Sequence, residues 1–239
     1  MSAFVQGIWS ASVQQAESII KPLHADAGSG IMFNLNGMVT LGPETFPEGV
    51  IMLPVNKKTE MAVLAGGARL AGIRFHPAIG YGILGKHYHR LTLLKPEDDQ
   101  DYQLYSLFHA LKTQASSKCH LDTLTTWAST HLDFTDIIPT SLEKSLTYIS
   151  HSDAVGNVSG HVLLSQRQIE RQFKLWLGMT PKYYQRIRRI KRAMEFLKRH
   201  RQANLADVAH QFGFSDQAHM TREFQAIARV TPSSLTKPI

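Results

Sequence analysis

The sequence predicts an α+β protein: an N-terminal β-barrel or sandwich domain with helices, then an all-α domain of two helix-turn-helix units joined by a long linker helix. Three observations carry this. Short apolar and β-branched runs, broken by Gly, Pro and Asn, fill the first hundred residues. Apolar residues then change to helical spacing. The last hundred residues repeat one helix–turn–helix pattern twice.

The strands come first. Phe4–Val13 mixes aromatic and β-branched residues, and Gly30–Gly42 reads as two short strands about Asn36-Gly37, a dipeptide suited to the positive φ of a tight hairpin. Val50–Leu53, Glu60–Leu64 and Arg69–Phe75 follow, separated by Pro, Gly and Lys-rich turns. Pro77–Leu84 is expected to be a short helix closing the domain, which spans 1–100.

Beyond Pro96–Asp101, Leu104, Leu107, Phe108 and Leu111 keep helical spacing, as do Leu121, Leu124, Trp127, Ala128 and Leu132. Two amphipathic helices are therefore expected over 101–138. Covering the β domain and forming a dimer seam are equally good roles for them. Asp133–Thr140, with Pro139, is the expected boundary before a domain over 141–239.

In that domain LLSQRQIERQFKLWLGMTPKYY (163–184) and GFSDQAHMTREFQAIARVTPSSL (213–235) align on Phe173 and Phe224, 51 positions apart. They share Ile169/Met220, Arg171/Arg222, Thr180/Thr231 and Pro181/Pro232. The units are expected at about 152–181 and 203–232. In the second, Leu205, Val208, Ala209 and Phe212 form a stripe ending at Gly213, suited to a left-handed helix end. Ser215 or Asp216 then caps a new helix. Ile169, Phe173 and Trp176 take one side of the first unit's second helix, with Arg167, Arg171 and Lys174 on the other. Met220, Phe224 and Ile227 face inward in the second copy, with Ala218, Arg222 and Gln225 outward and Gln217 and Thr221 beside them. The apolar set is ordinary core. A single basic face would ordinarily be a solvated surface, but one arginine recurring at one place in two copies favours recognition. Between the units Pro181–Arg199 reads as one helix with an apolar stripe of Tyr183, Ile187, Ile190, Met194 and Leu197. If it holds the units about 34 Å apart, they can occupy successive major grooves.

Composition agrees. Net charge is +7, yet residues 141–239 carry 16 Lys/Arg against 7 Asp/Glu while residues 1–140 carry 10 against 12. A neutral front and a basic back imply a polyanionic partner for the second domain. One cysteine, Cys119, excludes an internal disulfide framework or a zinc site of several thiolates. No basic leader precedes an apolar run, and no run approaches the roughly 20 residues of a membrane span. A cytoplasmic protein is expected.

With LSQRQIERQFK, GMTPKYY, LADVAHQFGFSDQAHMTREFQ and VTP, residues 141–239 resemble the AraC/XylS family of bacterial transcription regulators. The resemblance implies seven helices in two helix-turn-helix units, and base-reading positions at Arg167, Glu170 and Arg171, then at Gln217, Ala218, Thr221 and Arg222. Lys174 completes the DNA-binding set from its place on the same face. Arg can grip guanine through a bidentate fork, Gln can pair with adenine, Glu can accept from cytosine, and Thr or Ala can meet a thymine methyl. The first unit's leading helix, DAVGNVSGHV, holds Gly156 and Gly160, each costing about 1 kcal/mol in a helix interior. In the front domain GIRFHPAIGYGILG is similar to the cupin-like sensor domains of such regulators, which implies effector binding or dimerisation without naming an effector. The expected partners are double-stranded DNA, then RNA polymerase, a small-molecule effector and a second copy of the chain; no membrane is expected.

The alternative is a cupin-type metal-dependent or small-molecule-modifying enzyme with an attached DNA-binding domain. His76, His87 and His89 are its candidates, but the accompanying acid and glycine spacing is missing, so hydrogen-bonded or surface histidines are the expectation. Gly85-Lys86 lacks a phosphate loop's other residues, and neither HExxH nor GxSxG occurs. Cys119, in an amphipathic helical stretch, is expected to be inert packing. Asn157-Val158-Ser159 matches a glycosylation acceptor by chance. No catalytic residue, metal or cofactor is assigned.

Overall fold

The computed structural model describes residues 4–14, 16–133, 135–151 and 158–236. The chain divides into two compact units, the first ending at Ile137 and the second beginning at Ile138; the short segments His24–Ala27 and Lys57–Thr59 group with the second.

The first unit is a two-sheet sandwich. Among the described residues its strands are β1 (Val5–Ser12), β2 (Ile19–Leu23), β3 (Ser29–Asn36), β4 (Val39–Leu41), β5 (Glu44–Phe46), β6 (Gly49–Leu53), β7 (Glu60–Leu64), β8 (Arg69–Phe75) and β9 (Thr92–Leu93). One sheet runs β1-β8-β3-β6-β9, the other β2-β7-β4-β5, with every pairing antiparallel. Between the sheets Met32, Ile51 and Leu70 meet Val39, Leu41, Phe46, Ala62 and Leu64.

The alternation that marks a half-solvated strand is absent from β3, where everything from Gly30 to Leu35 is buried. The cause lies on the sheet's outer face. After α1 (Ile79–Leu84) and a 3-10 turn at Pro96–Asp98, helices α2 (Leu104–Thr113) and α3 (Ser117–His131) pack against the five-stranded sheet. They cover the face that Ile31, Phe33 and Leu35 share by strand parity. Covering the sheet is thus a role both helices perform.

Three expectations need correction. Asn36-Gly37 does not close a hairpin. Both edges of β3 are taken by β6 and β8, so β4 finds its partners in the other sheet and the turn carries the chain between sheets. Gly37 still supplies the positive φ, 79°. Asn34 holds this corner from within, its amide donating to the carbonyls of Gly37 at 2.8 Å and Pro47 at 3.0 Å. The apolar face of α3 is also rotated: Leu121 is exposed, and His120 is buried beside Leu124, Trp127 and Ala128. His120 tolerates burial because Ser10 Oγ lies 2.8 Å from its Nδ1 and the Leu111 carbonyl 3.1 Å from its Nε2. Finally, Cys119 is exposed rather than packed.

The second unit is helical: α4 (Thr140–His151), α5 (Val158–Val162), α6 (Gln166–Leu177), α7 (Pro181–Arg199), α8 (Leu205–Gln211), α9 (Gln217–Ile227) and α10 (Pro232–Thr236). Gly160 falls in α5; Gly156, the rest of the expected leading helix before Val158 and Asn157 lie outside the described residues. Helix α7 is the shared element, packing on α4 and α6 and also on α9 and α10. Its buried stripe runs through Tyr184, Ile187, Ile190, Ala193, Met194 and Leu197, with Tyr184 in the place expected for Tyr183. Pro181 at the first helical position and the Thr180 hydroxyl, which accepts from Tyr183 N–H at 3.2 Å, fix where α7 starts. Among the described residues no helix is long and apolar enough to cross a membrane.

Candidate nucleic-acid interface

Helices α6 and α9 follow the two turns, and each begins on a side-chain cap. Ser165 and Gln168 form a reciprocal capping box: Ser165 N–H donates to Gln168 Oε1 at 2.9 Å, and Gln168 N–H to Ser165 Oγ at 3.4 Å. At α9 the cap is Asp216, whose carboxylate accepts from His219 N–H at 2.6 Å. That bond, helped by the Ser215 hydroxyl and Arg222, holds the Asp216 carboxyl below its ordinary range.

Burial then sorts the two faces. In α6 Ile169, Phe173 and Leu177 are buried, and Arg167, Glu170, Arg171 and Lys174 are exposed. In α9 Met220, Phe224 and Ile227 are buried, Gln217, Ala218 and Arg222 are exposed, and Thr221 is half-buried. Every residue expected to meet DNA therefore reaches the surface of its helix. Local bonds bias two of them. Gln166 donates to Glu170 Oε1 at 3.0 Å, and the Thr221 hydroxyl donates back to the Gln217 carbonyl at 2.9 Å, which occupies its proton within the helix.

The arginines of α7 behave differently. Arg186 makes a two-bond fork with Glu223 of α9, Nε to Oε2 at 2.7 Å and Nη2 to Oε1 at 2.8 Å. The Arg189 guanidinium lies 5.5 Å from the ring centre of Phe214, in the turn before α9, and that of Arg192 lies 5.7 Å from Phe212 at the end of α8. These contacts were not foreseen. Their only sequence signal is the spacing of Arg186, Arg189 and Arg192 along one side of a helix.

In the first unit the histidine cluster is an aromatic stack. Tyr81 and His87 lie face to face with ring centres 4.3 Å apart, and His87 and His89 follow at 5.9 Å. Tyr81 and His87, but not His89, border a shallow cleft whose other walls include Leu53, Pro54, Val55 and Leu84. Among the described residues no three His, Cys, Asp or Glu side chains are placed to hold a metal ion.

Known proteins resemble this arrangement at two levels. The helix-turn-helix domain family matches residues 158–237. The HTH-type transcriptional activator RhaS of Escherichia coli O9:H4 (strain HS) is 37% identical over 68 residues, covering 28% of this chain and 24% of that protein. The RhaS of Escherichia coli strain K12 / DH10B matches to the same extent. The matched stretch thus spans about a quarter of the length of these curated relatives. In fold, ToxT from Vibrio cholerae is similar with a TM-score of 0.50, over 96% of each chain at 12% identity. The two-domain α+β architecture is therefore shared with a solved protein, and residues 158–237 of this chain match the helix-turn-helix domain family.

Proposed function

We propose that this chain is a sequence-specific, double-stranded-DNA-binding transcription regulator. It reads two successive major grooves through α6 and α9, and its N-terminal domain controls that reading by binding a small effector or by dimerisation. One observation carries the reading: two capped helices expose Arg171 and Arg222 at the same place relative to a buried Phe173 and Phe224. Arg167, Glu170, Arg171 and Lys174 act from the first helix, and Gln217, Ala218, Thr221 and Arg222 from the second. Helix α7, with 19 residues, spans roughly 28 Å at 1.5 Å per residue. That length suits two readers set about one turn of duplex apart. The RhaS proteins are named as transcriptional activators; activation here would add RNA polymerase as a partner. No reaction is assigned to the chain.

The test is selection of bound sites from random duplex DNA by the full-length protein, with and without candidate metabolites. Two short recurring blocks about a helical turn apart are expected. Affinity should fall with salt, at about −0.9 in log–log slope for each phosphate neutralised. Enrichment of no sequence would overturn the reading.

A further inference from the structure

The basic face of α7 invites assignment to DNA phosphates, but the contacts of its arginines point inward. Arg186, Arg189 and Arg192 follow at intervals of three, so they lie along one side of the helix. Each meets a different part of the second helix-turn-helix unit: the end of α8 at Phe212, the turn at Phe214, and α9 itself at Glu223. Two of these contacts are cation–ring contacts, tolerant of sliding. The third is a planar fork on a carboxylate, which fixes angle as well as distance. Glu223 lies between Arg222 and Phe224, so the fork grips α9 directly beside the residue it exposes. The side chains of Arg186 and Glu223 are 32% and 15% exposed, which shields the pair from much of the screening met by an open surface pair.

We infer that Arg186 is a positioning residue: through its fork to Glu223 it sets the rotation of α9 about its own axis, and thereby which base edges Arg222 and Thr221 meet. This rests on the DNA-reading function proposed above. A guanidinium aimed at guanine discriminates only within a narrow range of angles, whereas a phosphate contact tolerates far more. Loss of the fork should therefore reduce discrimination more than overall affinity.

The experiment uses full-length wild type, Glu223→Gln, Arg186→Gln and the charge-reversed pair Arg186→Glu/Glu223→Arg. Site selection from random duplex DNA is followed by affinity measurements on the selected site and on variants mutated in one block or the other. Melting is recorded on the same samples. The single variants should stay folded, keep the preference in the block read by α6, and lose about 10-fold of their discrimination in the other block. The reversed pair should restore most of it. A merely structural pair would lower melting and weaken all sequences alike. That result, undiminished discrimination in the single variants, or no recovery in the reversed pair would overturn the inference. If a single variant fails to fold, the reversed pair decides alone. A wild type that selects no sequence would instead remove the regulator reading, and this inference with it.

Discussion

In the second helix-turn-helix unit the chain passes through Gly213, at φ 71°, and re-enters helix on the Asp216 cap. In the first it passes through Leu163, at φ 53° and 93% exposed, and re-enters on the Ser165 capping box. Both turns need a left-handed residue, but only one has the residue type that adopts this conformation without a Cβ clash. Leu163 is held there by what flanks it: Val158 and Val162 are buried on one side, and Ile169 and Phe173 on the other. The outgoing helices nonetheless expose equivalent arginines. Packing and caps can thus reproduce an arginine-presenting helix from a turn whose local chemistry is unfavourable, and the unit built that way has less stability to spare.

The comparison can be broken most forcefully at the shared core. Phe173→Ala and Phe224→Ala should each destabilise the helical domain by about 3–5 kcal/mol, since both rings are fully buried. Chemical denaturation followed by circular dichroism checks this, and an unchanged midpoint in either variant would remove that ring from the core. Next come the exposed arginines. Arg171→Ala and Arg222→Ala should each cost about 1–3 kcal/mol of discrimination at one or two base pairs, in different blocks of the bound site. Binding titrations on mutated sites measure it; uniform weakening on every sequence would assign the residue to phosphate. Smaller again is the turn itself. Leu163→Gly should stabilise the first unit by about 1 kcal/mol, whereas Gly213→Leu should destabilise the second, and thermal melts that rank them the other way would refute the strain argument.

The least effect is expected from pH, and it should belong to the second unit alone. The Arg186 fork holds the Glu223 carboxyl below its ordinary 4.5. A depressed folded value stabilises the fold in full above the unfolded value, and this contribution is lost as pH falls through the folded one. Stability of wild type should therefore drop more than that of Glu223→Gln on acidification below about pH 4.5. Parallel curves from denaturant titrations at several pH values would contradict the linkage.

What was legible in the sequence was local or periodic. Helices α6 and α9 could be read because their apolar residues recur at helical spacing and their caps stand at fixed offsets. The residues of the proposed interface came from the resemblance of the motifs to the AraC/XylS family, and periodicity added only that Arg167, Arg171, Lys174, Ala218 and Arg222 face away from the core. Pairing at a distance was not legible. Asn36-Gly37 announces a turn, but whether β3 and β4 then pair depends on β6 and β8, which lie later in the chain and take both edges of β3. Leu121 looked like core by hydropathy, yet burial went to His120, whose partners Ser10 and Leu111 come from other elements. The Arg186–Glu223 fork, 37 positions apart in sequence, exists only because α7 and α9 pack together.

One strand of the front domain bears on how copies of this protein could associate. Among the described residues β2 is the outermost member of its sheet, with β7 on one side and no strand on the other. Such a margin would ordinarily template another chain, but Pro22 has no N–H to offer and Lys21 beside it brings a charge. Continuous zippering of a neighbour along this border is interrupted in its middle. Pairing of two copies strand to strand along β2 is therefore disfavoured, and growth by repeated pairing at this margin is checked by two residues of the strand itself.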